Sequence, residues 1–168
     1  MFHVSCFMTI LGIDPGTATT GFGVVKKTKK GNPRVVDFGC ITTKPGLSDG
    51  ERLRKLNNEL NKLIKKHQPK VLAVENIYFF KNLKTAMPVS QAKGVILLTA
   101  AKKKIPVYEF TPLQVKMAIT GYGKAEKKQV QKMISVLLNL KETLKQDDAA
   151  DALGIALCYI FKTESKLG

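Results

Sequence analysis

The hydrophobic pattern in the first third of the chain predicts three β-strands. Residues rich in β-branched and aromatic types fill 9–14, 21–27 and 34–43, and the glycine-containing turns PGTATTG and KKTKKGNP separate them. Closely spaced strands with short turns are typical of an antiparallel meander. We therefore expect the fold to begin with three antiparallel strands.

A different spacing of apolar residues follows the three strands. From 51 to 67, leucine and isoleucine recur at steps of three and four residues, the spacing of one helical face, and Pro69 marks the stop. The run VLAVE at 71–75 is apolar and β-branched, and it predicts a strand that can be buried on both faces.

The second half of the chain alternates helices and strands. The pattern predicts helices over 89–103, from Pro112 onward, over 125–140 and over 147–161, and a strand, IPVYEF, at 105–110. Thr111 before Pro112 is a typical cap followed by proline in the first turn. We expect a single α/β domain over 8–168, with a five-stranded mixed sheet flanked by helices, after a short leader of residues 1–7.

The net charge of the chain indicates which class of molecule it binds. The chain has 28 Lys and Arg against 13 Asp and Glu, a formal net charge of +15, with lysine clusters such as KKTKK and KAEKKQVQK. A strongly basic protein is expected to bind a polyanion in a salt-dependent way. The apolar runs are too short to cross a bilayer, so no membrane partner is expected. The three scattered cysteines, Cys6, Cys40 and Cys158, suit reduced thiols, so we expect a cytoplasmic protein. His3 and His67 lack neighbours at zinc-ligand spacing and are expected to be surface imidazoles.

Two predicted strands end in a carboxylate. Asp14 closes the apolar run of the first strand, and Glu75 closes VLAVE. If these strands lie side by side and parallel, both acids emerge at the edge where open α/β sheets place their sites. A simpler interpretation exists for each: Asp14 could form a turn ahead of Pro15-Gly16, and Glu75 could be an ordinary residue at a strand exit.

The last helix adds further acids in QDDAADALGIAL. Asp148 and Asp151 are three apart and Asp147 and Asp151 are four apart, so either pair could share a helical face. Asp151 lies among apolar residues, where an isolated ionised carboxylate is costly and a metal ion makes it tolerable. Acids without histidine or cysteine suit Mg²⁺ or Mn²⁺. An acidic, Mg²⁺-suited site in a basic protein indicates phosphoryl chemistry on nucleic acid.

Five stretches in order resemble one family along nearly the whole chain. They are LGIDPGTATTGFGVV at 11–25, VENIYFFKN at 74–82, QAKGV at 91–95, PVYEFTPLQVKMAITGYGKAEKKQVQKM at 106–133 and DDAADALGIAL at 147–157. The chain resembles the RuvC family of Holliday-junction resolvases, which belongs to the ribonuclease H-like superfamily. The resemblance therefore implies a ribonuclease H-like fold.

The resemblance also implies the site residues. The catalytic and metal-binding acids correspond to Asp14, Glu75, Asp148 and Asp151, which leaves Asp147 as a bystander or a helix-start charge. They would hold two Mg²⁺ ions, with Mn²⁺ as a substitute. The residues that contact DNA correspond to Lys116 and Lys127, which face the scissile strand, and to the aromatics Tyr78 and Phe79, with Phe80 adjacent.

The activity that the resemblance implies is a crossover junction endodeoxyribonuclease of recombination and repair. It makes paired, symmetric nicks in a four-way DNA junction by two-metal hydrolysis of phosphodiesters, as a homodimer formed through helix 89–103, together with the RuvA–RuvB branch-migration complex. The chain is too short, and lacks the second phosphate loop, for an actin-like or sugar-kinase ATPase. A YqgF-type nuclease acting on RNA would not explain GYGKAEKKQVQ or the aromatic triplet, and a non-enzymatic binding module would leave the acids unexplained.

Overall fold

The computed structural model describes residues 7–28, 32–76, 83–141 and 144–164. The strands are β1 (Phe7–Asp14), β2 (Thr19–Thr28), β3 (Arg34–Thr42), β4 (Val71–Glu75) and β5 (Val107–Phe110). The helices are α1 (Asp49–His67), α2 (Leu83–Lys102), α3 (Pro112–Thr120), α4 (Lys127–Leu137) and α5 (Asp147–Glu164). The order of elements is the one that the sequence pattern predicts.

The five strands form one mixed sheet in the order β3-β2-β1-β4-β5. β1 pairs antiparallel with β2, and β2 with β3, so the predicted meander is confirmed. β1 pairs parallel with β4, and β4 with β5. The two strands that end in carboxylates are therefore adjacent and run in the same direction.

Helices cover both faces of the sheet. Alternate residues of β1 divide between the two layers: Ile10 packs in the cluster that contains α5, and Leu11 packs in the cluster formed with α1 and α2. Both side chains are completely buried. Burial on both faces explains why β1 and β4 are near-continuous apolar runs rather than alternating ones.

Glycines let α5 lie unusually close to the sheet. Gly12 of β1 is opposite Gly23 of β2, and both lie under α5. A Cβ at Gly12 would be 2.0 Å from the carbonyl oxygen of Ala152 and 3.0 Å from the Cβ of Ala156. Small residues on both partners thus fix the distance and the rotation of α5 on the sheet.

The helix ends are set by local chemistry. Ser48 and Glu51 form a capping box at the start of α1, and Gln68 ends this helix in the left-handed conformation. Thr111 caps α3 with Pro112 in the first turn, as predicted. None of the described helices is long and apolar enough to cross a membrane.

Several predicted details differ from the structure. Helix α2 begins at Leu83, six residues before the predicted start, and it continues through Pro88 in its second turn, although a proline there removes one intrahelical hydrogen bond. Helix α4 spans Lys127–Leu137, inside its predicted range. Phe7, counted in the predicted leader, is the first residue of β1 and pairs with Thr28 of β2. The imidazole of His67 was expected at the surface, but it is only 8% exposed. Its Nε2 lies 2.8 Å from Oδ2 of Asp37.

Candidate active site

The carboxylates of β1 and β4 meet at one edge of the sheet. Ile13 is in register with Val74, so Asp14 and Glu75 follow at the same level on adjacent parallel strands. The two side chains are close enough for a hydrogen bond in which the protonated carboxyl of Asp14 donates and Glu75 accepts, and this interaction acts to raise the pKa of Asp14 and to lower that of Glu75. The placement expected from the ends of the two strands is confirmed.

Helix α5 brings its acids to the same edge. Gly21 is the cross-strand partner of Asp14, and a Cβ at Gly21 would lie 2.0 Å from the carbonyl oxygen of Asp148. The first turn of α5 therefore rests on the backbone of β2 beside Asp14. Asp151 follows one turn later, and both helical acids act electrostatically on the Asp14 carboxyl.

Proximity and burial shift the titration of these acids. Burial, the charges of Glu75, Asp151 and Asp148, and the hydrogen bond with Glu75 raise the pKa of Asp14 to about 8. Burial is also the main cause that raises the pKa of Glu75 and that of Asp151, and Lys127 opposes both rises. The four acids predicted from the sequence thus form one electrostatic unit in which like charges are held together.

Lys127 at the start of α4 contacts the rim of this cluster. Its ammonium nitrogen Nζ lies 3.4 Å from Oδ2 of Asp151 and 3.2 Å from Oδ2 of Asp147. Burial lowers the pKa of Lys127, but the two carboxylates outweigh this effect and raise it. The lysine therefore stays charged beside the acids.

The other predicted lysine lines the same concavity. A cavity of about 210 Å³ lies between β4, α3, α4 and α5. Its lining residues are Glu75, Pro112, Val115, Lys116, Lys127, Val130, Ile134, Asp151, Gly154 and Ile155. Two ammonium groups, two of the acids and an apolar floor are thus brought together, as expected for a site that binds a phosphate beside a hard cation.

The donor set suits a hard divalent cation. It consists of carboxylates, and their mutual repulsion in a partly buried site is what a cation would relieve. Within the described residues, however, no three Asp, Glu, His or Cys side chains are arranged so that they could hold a metal ion as they stand. The four acids interact with one another and with Lys127. The argument that they suit a divalent cation therefore rests on their chemistry as oxygen donors.

Sequence reasoning missed two features of this site. Gln131, buried in α4, donates from Nε2 to Oδ1 of Asp147 at 2.8 Å, so this first-turn acid of α5 also has a partner on the neighbouring helix. The spacing of Lys127 and Gln131, one helical turn apart, was the available signal. The glycines under α5 were the second feature. The predicted aromatic contacts Tyr78, Phe79 and Phe80 lie outside the described residues.

Comparison with known proteins gives a consistent result. The family model described as crossover junction endodeoxyribonuclease RuvC matches residues 10–159. The RuvC proteins of Caldicellulosiruptor saccharolyticus and Desulforamulus reducens are 47% and 51% identical to this chain. The first alignment covers 95% of this chain and 96% of the relative, and the second covers 90% and 93%. The T. thermophilus RuvC structure in complex with a Holliday junction substrate superimposes with a TM-score of 0.89 at 33% identity, covering 95% of this chain and 96% of that one.

Proposed function

Because the chain belongs to the RuvC family of crossover junction endodeoxyribonucleases, we propose that Asp14, Glu75, Asp148 and Asp151 are its catalytic residues. The family makes the protein a phosphodiester hydrolase that resolves Holliday junctions, and its fold is the ribonuclease H-like one predicted from the sequence. The YqgF-type alternative is set aside, since the RuvC model matches most of the chain. The observation that carries the proposal is the electrostatic coupling of the four acids at one sheet edge.

The four acids would hold two divalent cations, Mg²⁺ with Mn²⁺ as a substitute. When bound, such ions lower the pKa of an attacking water and stabilise the departing oxygen of the phosphodiester. Asp14 and Glu75 come from the ends of two adjacent strands, whereas Asp148 and Asp151 come from helix α5. Acids from three separate elements can thus surround a site without any one backbone segment having to bend.

Lys116 and Lys127 would hold the scissile strand. Both line the cavity that contains Glu75 and Asp151, so a phosphate that enters it meets ammonium groups beside the acids. Positive charge there offsets the charge that develops on the phosphoryl oxygens in the transition state. The apolar floor formed by Val115, Val130 and Ile134 limits water around these groups and strengthens the interaction.

Cleavage of a mobile four-way junction, compared with a linear duplex of the same sequence, tests this function. We expect Mg²⁺-dependent paired nicks in the junction. Asp14→Asn should abolish them, and Glu75→Gln should bind the junction at low salt without cutting it. Asp49→Asn, which removes an acid from the first turn of α1, is the matched control and should cut normally. Cleavage undiminished in Asp14→Asn would refute the assignment.

A homodimer through α2 is the second part of the proposal. Exposed residues recur along this helix at steps of four and three: Met87, Gln91, Gly94, Leu98 and Ala101. Such a seam, with Met87 67% and Leu98 54% exposed, is the pattern by which one helix packs on another. Gly94 supports this argument, because a Cβ there would meet no atom within 4 Å in the monomer. An exposed mid-helix glycine costs about 1 kcal/mol relative to alanine, and close approach of a second α2 would explain it.

Three further predictions have no test in the described residues. Tyr78 and Phe79 are proposed to stack on unpaired bases at the junction centre, which base-analogue fluorescence with Tyr78→Ala and Phe79→Ala would test. Cooperation with RuvA–RuvB is likewise proposed, as is a single cytoplasmic domain over 8–168, extended at its start by Phe7 of β1.

A further inference from the structure

Asp147 is in direct contact with the predicted strand-binding lysine. Its Oδ2 lies 3.2 Å from Nζ of Lys127, and its Oδ1 accepts a hydrogen bond from Nε2 of Gln131 at 2.8 Å. Lys127 and Gln131 are one turn apart on α4, and Asp147 and Asp151 are one turn apart on α5. The four side chains therefore form a continuous polar chain that joins the facing sides of two helices.

Gln131 anchors the end of this row of polar side chains that lies away from Asp151. Gln131 is 9% exposed and belongs to the buried side of α4, whereas the side chains of Lys127 and Asp147 are 52% and 62% exposed. A lysine at that exposure would normally sample many rotamers, and an isolated surface ion pair does little to restrict it. A carboxylate that is itself held by a buried amide gives the ammonium a fixed partner.

The two carboxylates that contact Lys127 have different duties in the proposed reaction. Asp151 is a proposed cation ligand, so its oxygens are needed for the cation. Asp147 contacts Lys127 at a similar distance, and its side chain is 62% exposed against 35% for Asp151, so it lies on the more exposed side of the lysine. Without Asp147, Lys127 would keep Asp151 as its carboxylate partner and compete with the cation for it.

We propose that Asp147, oriented by Gln131, is a positioning residue that holds Lys127 at the rim of the site, where it can meet the scissile phosphate without occupying Asp151. This inference rests on the proposed roles of Lys127 and Asp151. Asp147 itself need not touch DNA or a cation. Its effect on the reaction passes through the ammonium of Lys127.

The sign of the effects separates this role from simpler ones. Removing a negative charge near DNA should strengthen junction binding, or leave it unchanged, through general electrostatics. Loss of Lys127 positioning should nevertheless slow cleavage and raise the Mg²⁺ concentration that gives half the maximal rate. A merely structural acid would weaken binding and cleavage together, and a surface charge without a role would leave cleavage unchanged or faster.

The experiment measures junction affinity, the single-turnover cleavage rate and its Mg²⁺ dependence for Asp147→Ala, Lys127→Ala and the double variant. We expect Asp147→Ala to bind at least as tightly as wild type but to cut about three- to tenfold more slowly, the scale of a weak, partly exposed ion pair. In the Lys127→Ala background the same change should have no further effect on rate. Asp49→Asn, another first-turn acid, should leave all three quantities unchanged.

Each outcome has a separate meaning. Normal cleavage by Lys127→Ala would contradict the proposed role of that lysine. Slow cleavage by Lys127→Ala with a wild-type rate for Asp147→Ala would refute the positioning role and leave the proposed function intact. An equal decrease from Asp147→Ala in both backgrounds would also refute it, because the acid would then act independently of Lys127.

Discussion

Replacing Gly21 by alanine should inactivate the enzyme by moving a helix rather than by removing a reactive group. The new Cβ would lie 2.0 Å from the carbonyl oxygen of Asp148, 2.4 Å from its carbonyl carbon and 3.0 Å from its Cβ. Folded proteins do not accommodate a Cβ closer than about 3.0 Å to such an atom, so the first turn of α5 must retreat by at least about 1 Å. Asp148 and Asp151 then move away from Asp14 and Glu75.

The magnitude follows from the sensitivity of catalysis to position. A displacement of about 1 Å in a reacting group costs about a hundredfold in rate. Overpacking at a buried site also costs about 1–3 kcal/mol of unfolding free energy. We therefore expect Gly21→Ala to cut a four-way junction about a hundredfold more slowly while it still folds and still binds the junction.

The assay is single-turnover cleavage at saturating protein, together with circular dichroism and thermal unfolding to define the range in which the variant is folded. Two alanine variants calibrate the result. At Gly39 the new Cβ would lie 3.2 Å from a movable Phe22 ring, and at Gly50 it would meet nothing within 4 Å. Cleavage should fall slightly in the first and be unchanged in the second. A folded Gly21→Ala that cuts within threefold of wild type would refute the view that this contact sets the position of the helical acids.

Three other predictions concern the dimer, the stability and the cations. Gly94→Glu should convert a dimer into monomers in analytical ultracentrifugation. Gly50→Glu, at another helical glycine whose Cβ would meet no atom within 4 Å, should leave the dimer intact. A Gly94→Glu variant that is still dimeric would exclude this face of α2 as the dimer interface. Burial raises the pKa of Asp37, but hydrogen bonds with Lys66 and His67 outweigh the effect of burial and hold this pKa below its usual value. The interaction of Asp37 with these two residues therefore stabilises the fold above about pH 4, and the stabilisation is lost as the pH falls further. Asp37→Asn should thus unfold about 0.5–1 kcal/mol more easily at pH 7, with the difference shrinking below pH 4 in urea titrations; a difference that persists at pH 2 would contradict this linkage. Chelation of divalent cations should abolish cleavage but leave low-salt junction binding, and cleavage in excess chelator would refute the proposed cation dependence.

Much of the fold follows from local pattern. The β1 and β4 runs are apolar almost throughout because each strand is covered on both faces, and this composition also distinguishes them from the more exposed strand β3. The caps at Ser48 and Thr111 are short-range hydrogen-bonding devices, so a few neighbouring residues are enough to place a helix start. The pairing of Asp14 with Glu75 could also be proposed from the sequence, because each acid directly follows an apolar run that predicts a strand buried on both faces.

Which acids of α5 join that pair depends on the packing of the whole helix. Successive residues of a helix point about 100° apart, so the rotation of α5 about its axis decides whether Asp147 or Asp148 faces Asp14 and Glu75. That rotation is fixed by close contacts of α5 with Gly12, Gly21 and Gly23, which are far away in sequence. The burial of His67 against Asp37 has the same origin, because α1 must first dock on β3. The sequence by itself specifies which face of each helix or strand is apolar. How one element is oriented on another is decided by packing between residues that are distant in the sequence.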